Sequence, residues 1–529
     1  MTPTRREVLA QLAALALVPL ADSMPIDGDP LDGSVAHYQA GRRRGSWTAA
    51  AVTARALDRC RTEGMRWRGV DALSHTALAD AHAADARLRA GTLRGPLDGV
   101  PVFAKSIYDM KGSPTTGSSA EWARLFPELV RRDAIEVARL RSAGAIILGK
   151  TAADDFAYRG NGTSSHTGQV LNPYDASSTR TPGGSSAGSA AAVADGMAFT
   201  ALGTDDGGSN RIPAQFTGVV GMKPSFGLVP RTGVIPTWPY LDTHGPLARS
   251  VADAALLLYV IAGADSSDPL ASVGKWDREV VLSLRDDALA GVRLGLVEAH
   301  VPRTQMLPEA LAIWDRAVRD LRSAGATVEP FTPAVTLANY KDAFASAAKE
   351  RGDVAPDAYA PAPTANALYH YFAGRSDNPL AAVRKGYAAY RAYYDVLPAS
   401  FKECEPLLER PMTKDAAGQS FAHSRAAVVA MLSRSMRAAG FTAMVYPTMP
   451  FNAPRAVDEW PDVRTPLGYG NWLGLPEVSV PAGLGRDGMP ALNLSVVGLP
   501  CDDARVLALA HGYERQSRRF VPPPRGRNR

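Results

Sequence analysis

The sequence has 529 residues, 46% of them hydrophobic and 21% charged, with a formal net charge of +5 at neutral pH. A basic excess this small over so long a chain argues against a nucleic-acid partner, and the basic runs at 42–44 and from Arg518 onward are predicted to be solvated surface or tail. Cys60, Cys404 and Cys501 lie too far apart in sequence for a disulfide framework or a CxxC site. Without an HExxH motif, an EF-hand loop or clustered histidines and cysteines, we expect no metal site.

The first 25 residues have the order of a signal for export. Arg5 and Arg6 precede an apolar stretch from Val8 to Ala21, which is too short to cross a bilayer as a helix. The pattern is similar to a twin-arginine signal peptide with cleavage near Ala21, and the alternative is a mature amphipathic helix that carries two arginines. We therefore expect a periplasmic or secreted protein with no stable membrane insertion after processing, or a cytoplasmic protein if the segment is not a signal.

Helical patterns alternate with short apolar runs along most of the chain, which favours α/β layering. Ser46 is predicted to cap a helix over 47–60, and a second, alanine-rich helix is predicted over 77–90. Five short apolar runs bounded by glycine, proline or charge are predicted to be buried strands. They cover residues 99–105, 144–150, 292–298, 443–448 and 478–483.

From about residue 330 to 440 the strand-like runs nearly vanish and tyrosines accumulate, which predicts a helical insertion. Tyr387, Tyr390 and Tyr394 fall at i, i+3 and i+7, on one face of a helix. We interpret this stripe as packing against the core rather than lining a ligand cleft. As a functional interpretation, the insertion could form the wall or lid of a pocket.

Residues 181–213 hold two glycine-framed serine clusters around Ser185 and Ser209, with no histidine between them. A serine hydroxyl is a weak nucleophile until a base takes its proton, so the base must come from elsewhere. The segment 184–188 fits the G-x-S-x-G motif, which would make Ser186 the nucleophile of an α/β-hydrolase, but the polar, proline-containing residues before it cannot form the strand that this motif follows. A phosphate-binding loop is excluded because the cluster lacks the lysine that such a loop needs.

Lys105 ends one of the predicted buried strands and is the base that the residues suggest. An amine drawn into the protein interior loses hydration, which lowers its pKa and can leave it neutral and basic. The alternative is a surface lysine at the end of a strand.

Residues 183–230 resemble the signature sequence of the amidase signature family of serine hydrolases, and the interval of 24 residues between Ser185 and Ser209 fits the two serines of that family. Further similar segments are 96–112, 143–175, 243–258, 445–454 and 473–498. The resemblance implies one amidase signature domain over 30–515, followed by a C-terminal tail over 516–529. It also implies an α/β fold with a large twisted mixed β-sheet covered by α-helices on both sides.

The resemblance implies a Ser-Ser-Lys catalytic triad that requires no cofactor. Ser209 would be the nucleophile, Lys105 the base, and Ser185 the bridging hydroxyl between them, held by a cis peptide bond. Four backbone N–H groups would form an oxyanion hole for the tetrahedral intermediate. They are those of Asp206, Gly207, Gly208 and Ser209.

In the family pattern Ser186, Asp205 and Arg211 would support the catalytic loop, Ser186 through a hydrogen bond. Alternatively, Asp205 and Arg211 are each one half of a local ion pair. Four residues depart from the usual pattern of the family. Ala187 stands where glycine is usual, Asn210 where an aliphatic residue is usual, Asp206 where threonine is usual, and Ser106 where aspartate is usual. None removes a triad group, but Asp206 and Asn210 add polarity beside the nucleophile.

We therefore expect an amidase that hydrolyses a small or aryl carboxamide through an acyl-enzyme and releases a carboxylate and ammonia or an amine. The same acyl chemistry would serve esterase or carbamate-cleaving side activity. The expected partner is a small-molecule amide substrate, with homodimerisation left open. The alternative is the glutaminase subunit of a tRNA-dependent amidotransferase, which works in the cytoplasm with partner subunits. A third, non-enzymatic interpretation is an exported protein that binds amide ligands in the same cleft.

Overall fold

The computed structural model describes residues 28–524, apart from positions 176, 273, 275, 277 and 462–464. The predicted export signal at 1–25 and the end of the predicted tail lie outside these residues. Within them, no helix combines the length and the apolar character needed to cross a membrane.

A mixed sheet of eleven strands forms the centre of the protein, and a ribbon of two strands stands apart from it. In chain order the strands are β1 (Val70–Leu73), β2 (Pro101–Lys105), β3 (Ile146–Thr151), β4 (Thr163–Ser164), β5 (Gly168–Gln169), β6 (Thr200–Asp205), β7 (Val220–Lys223), β8 (Thr243–Ala248), β9 (Arg293–Leu296), β10 (Thr327–Pro330), β11 (Ala443–Pro447), β12 (Glu477–Leu484) and β13 (Pro490–Val497). Across the large sheet their order is β1-β3-β2-β6-β8-β7-β12-β13-β11-β9-β10, and β4 pairs with β5. Three strands that are distant in sequence, β2, β6 and β8, therefore lie side by side.

All five predicted strands are present, and the sheet contains further strands that the sequence analysis does not predict, among them β6, β8 and β13. Every residue of β2, β3, β6 and β8 is buried. Because successive side chains of a strand point to opposite faces, this burial requires cover on both faces of the sheet. The predicted α/β fold, a large mixed sheet with helices around it, is confirmed.

Helices longer than one turn account for most of the remaining regular structure. Several begin at a side chain that accepts a backbone N–H of the first turn, as Ser34, Ser250 and Asp415 do. In the described part of the chain these helices are α1 (Val35–Arg43), α2 (Ala49–Arg59), α3 (Ala77–Arg89), α4 (Ala120–Leu125), α5 (Ile135–Ser142), α6 (Ala187–Ala194), α7 (Arg211–Phe216), α8 (Val251–Ile261), α9 (Pro308–Ser323), α10 (Tyr340–Arg351), α11 (Pro361–Ala373), α12 (Pro379–Arg391), α13 (Phe401–Leu408), α14 (Ala416–Ala439), α15 (Leu467–Leu473) and α16 (Asp503–Ser517).

The start of α2 differs from the sequence-based expectation. Thr48, not Ser46, caps the helix, and its Oγ1 accepts the N–H of Ala51 at 3.1 Å. The first two N–H groups of the helix, those of Ala49 and Ala50, donate to the carboxylate of Asp85. A tertiary contact therefore selects between two residues that are both able to cap a helix.

The prediction that the basic run at 42–44 is solvated surface is wrong at Arg42, whose side chain is buried. Its Nη1 donates to the carbonyl of Asp98 and, at 3.1 Å, to Oε1 of Gln39. At the other end of the chain, residues 518–524 follow α16 without regular structure, and Arg519 forms an ion pair with Asp320 at 2.8 Å.

The insertion after residue 330 is helical, as predicted, and consists of α10 to α14. Tyr387 and Tyr390 lie on α12 and Tyr394 follows its end, and all three side chains are buried. The Tyr390 hydroxyl donates to the carbonyl of Pro236 at 2.8 Å, and the Tyr394 hydroxyl donates to the carbonyl of Phe156 at 2.6 Å. The interpretation of the tyrosine stripe as packing is confirmed, since it fastens the insertion to the sheet domain.

Candidate active site

Lys105 is the last residue of β2, and its side chain is fully buried. Nζ donates hydrogen bonds to Oγ of Ser185 at 2.7 Å and to Oγ1 of Thr204 at 2.8 Å. Thr204 lies in β6, the strand beside β2, so the sheet itself brings this hydroxyl to the amine. The alternative of a surface lysine is wrong.

Burial lowers the pKa of Lys105 to about 8, because a charged amine loses its hydration there. Nearby carboxyl groups favour the charged amine and limit this decrease in pKa. They belong to Asp206, Asp154, Asp242 and Asp205. An amine with this pKa is partly neutral at mildly alkaline pH, and a neutral amine can accept the proton of the Ser185 hydroxyl while it donates to Thr204.

Ser185 follows Gly184, and the peptide bond between the two residues is cis. Glycine is required before Ser185 because a Cβ on residue 184 would lie 2.2 Å from Oδ2 of Asp154 and 2.8 Å from the backbone nitrogen of Gly162. The carbonyl of Ser185 accepts the N–H of Asp154 at 3.3 Å. Asp154 therefore packs against the turn that presents the Ser185 hydroxyl to Lys105.

Ser209 lies in the turn between β6 and α7. Its carbonyl accepts the N–H of Ser186 at 3.2 Å, so the main chains of the two serine clusters are in direct contact. Among the described residues, no hydrogen bond joins the hydroxyls of Ser185 and Ser209. The hydrogen bond between Lys105 and Ser185 is therefore present, and the one expected between the two serine hydroxyls is not. Hydrogen bonds of this kind often shorten only when substrate is bound.

The turn before Ser209 is held by the carboxylate of Asp205, which accepts the N–H groups of Gly208 at 2.7 Å and Asn210 at 3.1 Å. Gly208 has a φ of 122°, and a Cβ there would lie 2.8 Å from the Leu467 side chain, so this position requires glycine. Gly208 is a correction to the predicted oxyanion hole, because its N–H is already used. The other predicted donors have no acceptor within the described residues, and they are the N–H groups of Asp206, Gly207 and Ser209.

Arg211 is fully buried next to this turn and has two carboxylate partners. Its guanidinium lies 2.9 Å from Asp205 and 2.7 Å from Glu477 of β12, and Nη2 donates to Oδ1 of Asn471 at 2.6 Å. Burial opposes ionisation of Asp205, but the Arg211 guanidinium outweighs it and lowers the pKa of Asp205 to about 2. Arg211 therefore does more than form a local ion pair, because it connects the turn at Ser209 to Glu477 of β12 and Asn471 of α15.

Ser186 connects the two clusters through its side chain, as the predicted supporting role requires. Its Oγ accepts the N–H of Thr204 at 3.2 Å and donates to Oδ1 of Asn210 at 3.2 Å. Nδ2 of Asn210 donates to the carbonyl of Met222 at 3.0 Å. Because the Asn210 amide is used inside the protein, the added polarity beside the nucleophile comes from Asp206.

Asp206 faces a second carboxyl group. β6 and β8 are antiparallel with Asp205 opposite Thr243, so the next residue, Asp206, lies opposite Asp242. Both oxygens of Asp206 are buried and receive no hydrogen bond from a donor group of the described residues. Burial raises the pKa of Asp206 well above its ordinary value, and the Asp242 carboxyl raises it further. The same described residues hold no group of three or more His, Cys, Asp or Glu side chains placed to bind a metal ion.

A cavity of about 430 Å³ is lined by Asp242, which faces Asp206 across the β6–β8 pair. Lys105, Ser185 and Ser209 do not line this cavity. Its walls come from residues 231–236, from the start of β8 and from the helical insertion. The insertion contributes Asn366, His370 and Tyr371 of α11. The insertion therefore forms a pocket wall at these residues in addition to packing against the core.

Three residues of the site have no strong signal in the sequence. Thr204 is one residue before Asp205 in the GTDDGGS run, and this proximity is the only local pointer to it. Asp154 follows a predicted strand, and only the fold brings it to the turn at Gly184. Glu477 is a carboxylate at the start of a buried strand, a position that calls for a buried partner and could have prompted a search for one.

Comparison with known proteins relates most of the chain to one group. The family model described as Amidase matches residues 51–507. A glutamyl-tRNA(Gln) amidotransferase subunit from Symbiobacterium thermophilum is 35% identical over 460 residues, which cover 83% of this chain and 87% of that protein. The same subunit from Anaeromyxobacter sp. is 48% identical over 220 residues, 42% of this chain and 43% of that protein. The solved structure of a peptide amidase from Stenotrophomonas maltophilia has a TM-score of 0.75 and 29% identity, and the match covers 94% of this chain and 99% of that one.

Proposed function

The chain belongs to the amidase signature family of C–N hydrolases, and we propose that it cleaves a carboxamide with Ser209 as nucleophile, Ser185 as proton relay and Lys105 as base. The observation that carries this proposal is the buried hydrogen bond of 2.7 Å between Nζ of Lys105 and Oγ of Ser185. A serine needs a neighbouring base to become nucleophilic, and a lysine of lowered pKa can take the place of histidine.

The reaction follows from these positions. Oγ of Ser209 attacks the amide carbon while its proton passes through the Ser185 hydroxyl to the neutral amine of Lys105. The carbonyl oxygen, now negative, is stabilised by the free N–H groups of the loop, those of Asp206, Gly207 and Ser209. Return of the proton to the amide nitrogen lets ammonia or an amine leave, and water then attacks the acyl-enzyme to release the carboxylate.

Two finer assignments fit this chemistry. The similarity to the glutamyl-tRNA(Gln) amidotransferase subunit of Symbiobacterium thermophilum, which covers 83% of the chain, supports a glutaminase that works with partner subunits. The similarity to a peptide amidase over 94% of the chain supports an enzyme that acts alone on small amides. Sequence identity is higher to the first group, and so it gives the glutaminase assignment the greater support.

Substrate profiling of the purified full chain distinguishes the two assignments. Ammonia release is measured with glutamine, C-terminal peptide amides and aryl amides, alongside matching esters and carbamates for side activity. Rapid turnover of peptide or aryl amides by the chain alone supports the independent amidase. Activity on glutamine that depends on co-purifying subunits supports the glutaminase. If a fluorophosphonate probe fails to label Ser209 while amides still bind, both are wrong and the protein is a binding protein.

We also propose that residues 1–25 are a twin-arginine export signal, on the order of Arg5, Arg6 and the apolar stretch after them. The test is a reporter fused to this segment. Replacing both arginines by lysine should abolish periplasmic reporter activity without reducing expression. A wild-type fusion that stays in the cytoplasm would overturn the export proposal and remove one argument against the glutaminase assignment.

A further inference from the structure

The cavity of about 430 Å³ beside the catalytic loop runs from an exposed mouth to a buried floor. Ser266, His370 and Thr413 are exposed and line the mouth. Asp242 and His244 are buried at the start of β8 and line the floor. Because β8 pairs with β6, the floor of the cavity lies beside the strand that leads into the nucleophile turn.

Two basic side chains of the cavity lining already have carboxyl partners. Arg231 donates from Nε to Oδ2 of Asp268 at 2.9 Å, and a second nitrogen of the same guanidinium donates to Oδ1. Nδ1 of His244 lies 2.5 Å from Oε1 of Glu136. Neither group therefore offers a free charge to a molecule that enters the cavity.

Within the described residues, Asp242 forms no such ion pair. Its Oδ2 accepts the N–H of Thr237 at 2.9 Å, and its carboxyl group faces that of Asp206. Asp206 lies opposite and adds a second carboxyl group whose two oxygens are buried without a donor. The Lys105 amine is also near these carboxyl groups, and it donates hydrogen bonds to Ser185 and Thr204.

The contact of the two carboxyl groups affects the pKa of Asp206. Burial raises this pKa well above its ordinary value, and the facing Asp242 carboxyl raises it further. Buried carboxyl oxygens without donors are costly, and a group that supplies both positive charge and N–H donors relieves that cost.

We propose that the floor of this cavity binds a primary ammonium group carried by the amide substrate, with Asp242 as the direct acceptor and Asp206 as the carboxyl group that supports it. The inference rests on the proposed amide hydrolysis and adds a substrate class to it: amides whose acyl or amine part bears a free amino group. Asp206 lies three residues before Ser209 in the turn after β6, and the proposal therefore requires one substrate molecule to reach from the cavity floor to that turn.

The test compares substrates that differ only in charge. A series of ω-aminoalkanamides of increasing length is measured against alkanamides in which a methyl group replaces the ammonium group. For the length that fits, the aminoalkanamide should have a kcat/KM about tenfold to a hundredfold higher, as expected for one charge-assisted hydrogen bond at a buried site. In Asp242→Asn, which keeps the acceptor for Thr237, the ratio should fall to near one. Asp287→Asn, at an exposed carboxylate paired with Arg285, is the control that should keep the wild-type ratio.

Several outcomes would overturn the inference without affecting the proposed function. If wild-type enzyme hydrolyses neutral alkanamides and shows no preference for the charged partner at any length, the ammonium site is wrong and the hydrolase remains. Calorimetry with pentylammonium and with pentanol gives a second readout that needs no turnover and no variant. Binding of the amine alone supports the site, and equal or absent binding overturns it. Absence of turnover and of probe labelling at Ser209 would instead reject the hydrolase.

Discussion

The backbone N–H of Ser186 donates to the carbonyl of Ser209 at 3.2 Å, and this bond fixes the residue after the relay serine to the nucleophile itself. The spacing of the two serine clusters therefore depends on the main chain and on the Asp205–Arg211 pair beside it. Truncating a triad side chain should leave this spacing in place, which makes the variants below informative about chemistry.

Ser209→Ala is expected to abolish both turnover and fluorophosphonate labelling, because the nucleophile is lost. Ser185→Ala should slow turnover by about a hundredfold to ten-thousandfold, since the proton path to Lys105 loses its hydroxyl. Ser189→Ala is the matched control, because its buried hydroxyl contacts Thr151 at 2.6 Å, outside the triad, and its rate should stay near wild type. Ammonia release and probe labelling of the purified variants measure these effects. Normal turnover without either triad serine would contradict the assigned roles.

Lys105→Ala should remove nearly all activity, with a loss of about a hundredfold or more, and should leave a folded protein. The removed amine donates to two hydroxyl groups and forms no ion pair within the described residues, so its loss breaks no salt bridge. Lys111→Ala, at an exposed lysine, serves as the control for the loss of an amine. Circular dichroism shows whether the variants are folded, and steady-state kinetics gives their turnover rates. Retention of wild-type turnover by the Lys105 variant would rule out this lysine as the base.

Activity on a neutral amide is expected to rise with pH through about 8. Burial lowers the pKa of Lys105 to about 8, and the protonated amine that prevails below this pKa cannot accept the serine proton. The acidic side of the profile of kcat/KM against pH should therefore report the pKa of this amine. An optimum in acid is incompatible with a neutral lysine as the base.

Arg211→Leu should lower the free energy of unfolding by about 3–5 kcal/mol, because it leaves Asp205 and Glu477 buried without their cation. The pKa of Asp205 is about 2 in the folded protein, below its ordinary value of about 4, so its contribution to stability is present above pH 4 and is lost as the pH falls toward 2. Urea unfolding across this range should show a smaller acid-induced loss in the variant than in wild type. Arg285→Leu, which breaks an exposed pair with Asp287, should leave stability unchanged. Equal effects of the two variants would contradict the structural role of Arg211.

Gly184→Ala is expected to lose most activity and to unfold at a lower temperature. The added Cβ would lie 2.2 Å from Oδ2 of Asp154, so either the turn or the carboxyl must move away from the position that holds Ser185 at Lys105. Gly468→Ala is a suitable control, since the nearest heavy atom to its Cβ is the Tyr340 hydroxyl at 3.7 Å. Thermal unfolding curves and turnover rates of the two variants test this expectation. A fully active Gly184 variant would show that the turn tolerates displacement.

The sequence predicts those parts of the fold and site that have local signals. Apolar runs bounded by glycine and proline mark the strands, and the spacing of Ser185 and Ser209 marks the catalytic loops. The place of Lys105 at the end of such a run is compatible with burial or with exposure, and the structure shows that it is buried. These features depend on neighbouring residues, which a single sequence contains.

The rest depends on which segments become neighbours in space. Asp206 meets Asp242 only because β6 and β8 pair in one particular register, and Arg211 meets Glu477 only because the sheet places β12 near α7. The prediction that the Gly208 N–H belongs to the oxyanion hole fails for the same reason. This N–H donates to the Asp205 carboxylate, and the orientation of that side chain cannot be deduced from the sequence. Interactions of this kind leave no periodic pattern in the chain.

The insertion that lines the cavity leaves and rejoins the sheet on the two sides of one strand. β10 ends at Pro330, opposite Leu296 of β9, and β11 begins at Ala443, opposite Leu294 of β9, so the two junctions are about 12 Å apart. Changes in the length of α10 to α14 therefore need not disturb the central strands that hold the base and the nucleophile. In evolution, and in protein engineering, this arrangement lets the segment be exchanged as a cassette, so that selectivity can diversify while bond cleavage is inherited intact.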